Sequence, residues 1–212
     1  MLKDGSGKSY NISFDIRSYY SYQGDGFNYY GSMSGAYIFR PSDYVQDSVR
    51  YTKLMDIQTF NAGGFVQEIC MTFYENVQNS TAVVRLRYYD EGQGSEWEVF
   101  LGGLPNDGIG REVTVNWKAY NFHNNKTFYT DSNGLEMQER ILNYRPSFNF
   151  FSFEQVSGNF YPINSAIAIV DKTANLQFTV LNDRSQAGSA IKEGRIELMQ
   201  NRRLFKDDGR GV

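Results

Sequence analysis

Apolar residues recur at every second position through most of this chain. Tyr10, Ile12, Phe14 and Ile16 alternate with polar neighbours, and Tyr20 and Tyr22 resume the same phase. A two-residue period predicts strands with one buried face. The same period carries Phe65, Ile69, Met71 and Phe73, then Val84, Leu86 and Tyr88, then Trp97, Val99 and Leu101, then Val113, Val115 and Trp117. Ile163, Ile167 and Ile169 are read as one strand and Leu176, Phe178 and Val180 as its partner, joined by the short loop DKTAN at 171–175. Ile196 and Leu198 mark a further strand. The run LEMQERIL at 135–142 follows Asn133–Gly134, a pair that commonly opens a hairpin, so it is read as strand. No stretch of ten or more residues carries a helical stripe. Many short strands separated by turns predict an all-β, antiparallel β-sandwich.

Residues 102–110, GGLPNDGIG, form the longest glycine-rich connection, and the composition shifts near Gly110. With no Pro/Ser-rich linker and no repeat, the chain is read as one domain over residues 1–212. Its 212 residues suffice to bury roughly 70% of the unfolded surface. Sixteen Tyr and sixteen Phe reinforce the strand reading, since aromatic rings suit a pleated, half-buried surface. Charged residues make up 21% and the net charge is −3, so no basic footprint for nucleic acid or an anionic membrane surface exists. No apolar run approaches the roughly 20 residues a membrane-spanning helix needs. The first residues, MLKDGSGKSYN, hold no apolar signal segment, which fits an internal piece of a larger secretory-type protein.

The chemistry-bearing residues are few. One histidine, His123, lies in the polar stretch NFHNNK, and the single Cys70 is far from it. Zinc needs three or four converging His, Cys or carboxylate ligands, so this chain is expected to hold no metal or other cofactor. Asp207 and Asp208 invite an acid/base reading. Adjacent side chains on extended backbone point apart, however, and capping of turn amides or pairing with Arg202, Arg203 or Arg210 is the better role. Of Arg202 and Arg203, one is expected to face inward and be paired. Arg145 and Arg184 are expected to be buried or interfacial residues whose hydrogen bonds hold the sandwich together. Arg210 sits between Gly209 and Gly211, where the backbone can bring its guanidinium close to a partner. Asn11, Asn79 and Asn125 open glycosylation sequons.

Six segments in order carry a resemblance: SGAYIFRP at 34–41, FYTDSNG at 128–134, NYRP at 143–146, GNFYPIN at 158–164, LNDRSQAG at 181–188 and ELMQNRRLFKDDGRGV at 197–212. Together they resemble the C-terminal region of glycoside hydrolase family 38 α-mannosidases, the lysosomal type in particular. The resemblance implies a galactose-mutarotase-like super-sandwich that is a partial domain of a larger enzyme. That enzyme would release terminal α-linked mannose from oligosaccharides and glycoproteins by a retaining, zinc-dependent mechanism. Zinc and the catalytic carboxylates would sit in a catalytic α/β domain that nothing in this sequence matches, so this chain alone is expected to be inactive. The lysosomal or secretory lumen is the implied location. Carried over residue by residue, Arg210 and Tyr37 are the expected substrate-binding groups, gripping sugar hydroxyls through guanidinium and phenol. The bland alternatives are an Arg210 ion pair with Asp207 or Asp208, and a core position for Tyr37 at the start of a strand ended by Arg40–Pro41. An autonomous carbohydrate-binding β-sandwich without catalysis is the competing functional class.

Overall fold

A computed structural model describes residues 2–3, 9–24, 32–42, 49–51, 53–75, 80–89, 94–149 and 154–210. Its first strands are β1 (Leu2–Lys3), β2 (Ser9–Tyr10), β3 (Ile12–Tyr20), β4 (Val49–Arg50), β5 (Lys53–Ala62), β6 (Val66–Glu75), β7 (Ser80–Tyr89) and β8 (Ser95–Leu101). Then follow β9 (Arg111–Ala119), β10 (Thr127–Ser132), β11 (Glu136–Ile141), β12 (Tyr161–Ile163), β13 (Ala166–Asp171), β14 (Leu176–Leu181), β15 (Gln186–Ser189) and β16 (Arg195–Arg203). A 3-10 turn spans Ser157–Asn159. The chain is all-β and its strand pairs are antiparallel. It separates into two compact units, Met1–Asn11 with Arg50–Asp107, and Ile12–Val49 with Gly108–Val212.

The first unit is built on the sheet β5-β6-β7-β8. Register places Met71, Val84 and Val99 on one face, together with Ile69, Leu86 and Trp97. Ala82, Val84 and Leu86 on the central strand are buried. The opposite face is charged. Arg87 lies between Glu68 and Glu96 and binds Glu68 at 2.6 Å, Glu98 at 3.0 Å and Glu96 at 3.3 Å. Phe65, expected in a strand, stands instead in the turn before β6 and is 77% exposed. Gly63 and Gly64 take positive φ there and the Asn61 side chain accepts the Gly64 amide, so turn chemistry overrides the alternation.

In the second unit a six-stranded sheet, β12-β15-β16-β9-β3-β4, faces a four-stranded one, β11-β10-β13-β14. Ile16, Val115 and Leu198 lie side by side in register, as do Phe14, Trp117 and Ile196. The Phe14 and Trp117 rings meet edge-to-face at 5.4 Å. The two sheets interlock around Gly188. A Cβ there would lie 3.0 Å from Leu198 and 3.1 Å from both Ile163 and Ile167, so no larger residue fits without displacement. Phe128 of β10 meets Tyr161 of β12 at 5.6 Å across the same layer.

The hairpins match the turn signals. β10 and β11 close through Asn133 and Gly134, both at positive φ, and β13 and β14 close through the loop that ends at Asn175, also at positive φ. One expectation is corrected. Ile163 and Ile167 are not on one strand: β12 pairs with β15 and β13 with β10 and β14, in different sheets. The corner between them is made by Asp131, whose Oδ1 accepts the amides of Asn164 (2.8 Å), Ser165 (3.0 Å) and Ala166 (3.1 Å) while Oδ2 accepts that of Gly134 (2.8 Å). Asp171 works alike. Its Oδ1 accepts Thr173 and Ala174 within its own hairpin, and its Oδ2 reaches the His123 amide at 2.9 Å.

The other face of the six-stranded sheet is polar yet buried. Glu112, Thr114 and Asn116 on β9 and Glu197 on β16 are each 5% exposed or less. Loop residues cover part of it: Tyr19 is buried with Val156 and Ile191, and Phe39, Leu142 and Phe160 pack against them. Burial pushes the Glu197 carboxyl up, against the opposing hydrogen bonds of Thr114 and Tyr19.

Burial alone would raise the Asp131 carboxyl, but its four amides together hold it well below the usual carboxylate range. A lowered folded value means that its stabilisation is complete above about pH 4 and is lost as pH falls further. Asp131→Asn keeps one acceptor oxygen and is expected to cost about 2 kcal/mol at neutral pH. It should also flatten the acid limb of stability. Urea unfolding across pH 3 to 7 reads both effects.

Candidate functional site

Two loops far apart in sequence meet at the end of β16. The first, Ser32–Ser42, leaves β3 and returns beside it: Ser34 donates its amide to the Tyr22 carbonyl (2.9 Å), Tyr22 to Arg40 (2.8 Å) and Ser42 to Tyr20 (2.7 Å). Pro41, which lacks a ladder donor, forms only an isolated bridge with Ser21. The expected strand over SGAYIFRP is therefore a loop, stabilised internally by the Ser34 hydroxyl, which donates to the Ile38 carbonyl and accepts the Arg40 amide. The second loop follows β16. Asp207 accepts the Gly209 amide at 2.9 Å, and Gly209 turns the chain at φ 66°.

Asp208 joins the loops. Its Oδ2 accepts the amides of Tyr37 (2.7 Å) and Ile38 (2.8 Å), and its Oδ1 accepts that of Arg210 (3.0 Å). Burial acts to raise this carboxyl, but the amides prevail and hold it below the usual range. Neither aspartate is arranged as one half of an acid/base pair; each accepts backbone amides of its own turn. Asp208 meets Arg210 through the backbone, not through an ion pair.

Beneath the first loop lies a charged contact that alternation alone does not reveal. Arg202 pairs with Glu112 and also donates to the carbonyls of Ala36 (3.2 Å) and Ile38 (3.0 Å). Of the Arg202–Arg203 couple, Arg202 is thus paired with a buried carboxylate, and Arg203 lies over the Phe205 ring. Glu112 is 1% exposed. Burial pushes its carboxyl up to about 7, against the pull of Arg202 and a hydrogen bond with Ser34. Arg40 anchors the loop's far end on Glu154 at 2.7 Å and lies over the Tyr22 ring.

The side chains of Tyr37 and Arg210 both reach solvent. Tyr37 is 70% exposed, which removes the core-aromatic alternative. Arg210 is exposed and reaches the Ser32 hydroxyl of the first loop at 3.5 Å. A hollow of about 420 Å³ beside Phe39, Phe160, Tyr161 and Met199 includes neither of them. The remaining candidates lie apart. His123 is a solvated loop side chain 3.9 Å from Glu193. Cys70 is a free thiol on β6. Arg145 donates to the Gly158 carbonyl (2.6 Å) and covers the Tyr161 ring, as a structural arginine should. Arg184, expected to be buried or interfacial, is exposed in this chain and pairs with neighbouring Asp183. Asn11 and Asn125 are exposed, and Asn79 is outside the described residues. Among the described residues no three His, Cys, Asp or Glu side chains could hold a metal ion, so the donors present do not fit a zinc site.

Residues 15–210 match the glycosyl hydrolases family 38 C-terminal domain. The chain belongs to that family. It is 40% identical over 205 residues to the lysosomal alpha-mannosidase of Bos taurus, covering 95% of this chain and 19% of the relative. Against the lysosomal alpha-mannosidase of Homo sapiens it is 41% identical over 189 residues, 88% of this chain and 18% of the relative. The alpha-mannosidase of Canavalia ensiformis is 35% identical over 213 residues, 100% of this chain and 20% of the relative. The chain thus spans about a fifth of the length of these curated relatives. The family match takes in both loops of the Asp208 junction.

Glu112 gives this junction a pH dependence. A folded value raised to about 7 means that the folded state holds the proton more tightly than the unfolded chain. The contribution of Glu112 to stability is therefore full below about pH 4 and is lost as pH rises through 7. Glu112→Gln is expected to remove that decline, leaving the variant more heat-resistant than the parent at pH 8 and little different at pH 4. Thermal unfolding at the two pH values tests the sign.

Proposed function

We propose that this chain is the C-terminal β region of an α-mannosidase that releases terminal α-linked mannose from oligosaccharides and glycoproteins. The observation that carries the proposal is the convergence of Tyr37 and Arg210 on one carboxylate, in a chain whose relatives are named alpha-mannosidases. An exposed phenol and an exposed guanidinium on adjoining loops suit a sugar. Vicinal hydroxyls accept two directional N–H bonds from a planar fork, and a phenol can donate to or accept from a third.

In this reading residues 1–212 act together as one functional piece that buttresses a catalytic α/β domain and forms one wall of its pocket. This reading assigns the retaining chemistry, its carboxylates and its zinc to that domain, while Asp207 and Asp208 are occupied here with backbone amides. Mannose-bearing oligosaccharide and the catalytic domain are the partners, and the lysosomal lumen is the location, after the names of the relatives. The exposed sequon asparagines Asn11 and Asn125 fit that route.

In the full-length enzyme, Arg210→Ala is expected to lower kcat/KM for an aryl α-mannoside roughly 100-fold, and Tyr37→Phe roughly tenfold. The isolated chain should neither turn over the substrate nor bind mannose measurably. Binding by the chain alone, with both variants fully active in the enzyme, would favour the autonomous carbohydrate-binding module instead. Expression through a secretory pathway should add glycan at Asn11 and Asn125, read as mass lost on enzymatic deglycosylation and on Asn→Gln substitution.

A further inference from the structure

Asp208 touches neither the Tyr37 phenol nor the Arg210 guanidinium through its side chain. It holds the backbone from which both project. Its Oδ2 takes the consecutive amides of Tyr37 and Ile38 at 2.7 and 2.8 Å, and its Oδ1 takes the amide of Arg210 at 3.0 Å. The residue is only 5% exposed, so water competes poorly for these bonds. The first loop is gripped from its other side as well. Arg202 donates to the carbonyls of Ala36 and Ile38, so the amides and carbonyls of one short segment are held by opposite charges. Contact fixes the separation too. A Cβ on Gly35 would lie 2.5 Å from the Asp208 nitrogen and 2.6 Å from its Cγ, leaving no room for a methyl group between the loops.

We infer that Asp208 is a positioning residue that sets the spacing of the phenol and the guanidinium across the sugar site; the inference rests on the reading that those two groups bind sugar. The requirement for a carboxylate follows from counting acceptors. Three N–H donors approach two different oxygens, and an asparagine offers one oxygen and one NH2. With asparagine, either the Tyr37–Ile38 amides or the Arg210 amide must face a donor. One loop is then released while the shape of the side chain hardly changes.

The test compares full-length enzymes: the parent, Asp208→Asn, the double variant Tyr37→Phe with Arg210→Ala, and the triple variant. Steady-state kcat and KM on an aryl α-mannoside are measured beside thermal unfolding. Asp208→Asn is expected to fold and to lose kcat/KM on the order of 100-fold, the scale of an ångström-level misplacement. Added to the double variant, the same change should cost no more than about twofold, because the groups it positions are already gone. If Asp208→Asn does not fold, Gly35→Ala takes its place. It separates the loops while leaving every hydrogen-bonding group intact, and the same non-additivity is expected. A double variant that is impaired beside an Asp208→Asn enzyme of parental activity overturns the positioning role alone. So does an Asp208→Asn loss that multiplies in full in the triple variant. A double variant as active as the parent removes the sugar-site reading and this inference with it.

Discussion

A carboxylate withdrawn from water must be met by donors, and three aspartates of the second unit recruit backbone amides for the purpose. Asp131, Asp171 and Asp208 solve the problem in one way. Each gives one oxygen to its own turn, at Gly134, at Thr173 and Ala174, and at Arg210. Each gives the other oxygen to a remote segment, at Asn164–Ala166, at His123, and at Tyr37 and Ile38. The first half is an ordinary Asp turn. The second half turns that bend into a tertiary staple, and it needs the second oxygen that an amide side chain lacks. The sheet-to-sheet corner and the junction of the two site loops both hang on this device.

The consequence for the site is rigidity without enclosure. Loops are the mobile parts of most folds, and functional loops work when a scaffold limits that mobility. The Ala36–Ile38 segment has its amides on Asp208 and its carbonyls on Arg202, and Arg202 is itself held by buried Glu112. The backbone is held while the Tyr37 and Arg210 side chains stay exposed. Pre-organised donors lose less entropy when a ligand arrives.

How much of this was legible follows the same division between local and remote. Alternation placed most of the strands, and Asn133–Gly134 and the DKTAN loop placed two hairpins, because those signals act over a few residues. The Ile163–Ile169 run misled for a physical reason. Its apolar period continues across a corner that only Asp131, more than thirty residues away, creates. Alternation also predicted one buried face, whereas β9 buries both: Val113, Val115 and Trp117 on one side, Glu112, Thr114 and Asn116 on the other. A polar residue in a strand normally signals solvent, and nothing local tells Glu112 that Arg202 and a covering loop await it. Family resemblance alone singled out Tyr37 and Arg210 as candidates. That Asp208 holds the backbone of both loops was not visible locally, although a turn-capping role for it was expected.

The same geometry bears on whether such a surface acts alone. The described staples lie in the second unit; the first unit's Arg87 cluster is a partly exposed lattice of surface charges, which adds little to stability. The rigid part is thus the part that presents the phenol and the guanidinium. Yet ligand sites that bind small molecules well enclose most of the ligand's surface and converge several polar groups upon it. Here two exposed groups stand on adjoining loops, and the neighbouring hollow includes neither. Two directional contacts on an open face would orient a sugar but leave most of it in water. A surface held this firmly and enclosing so little is suited to complete a cavity whose other walls come from a partner, and that favours the wall of a larger enzyme over a self-sufficient binding module.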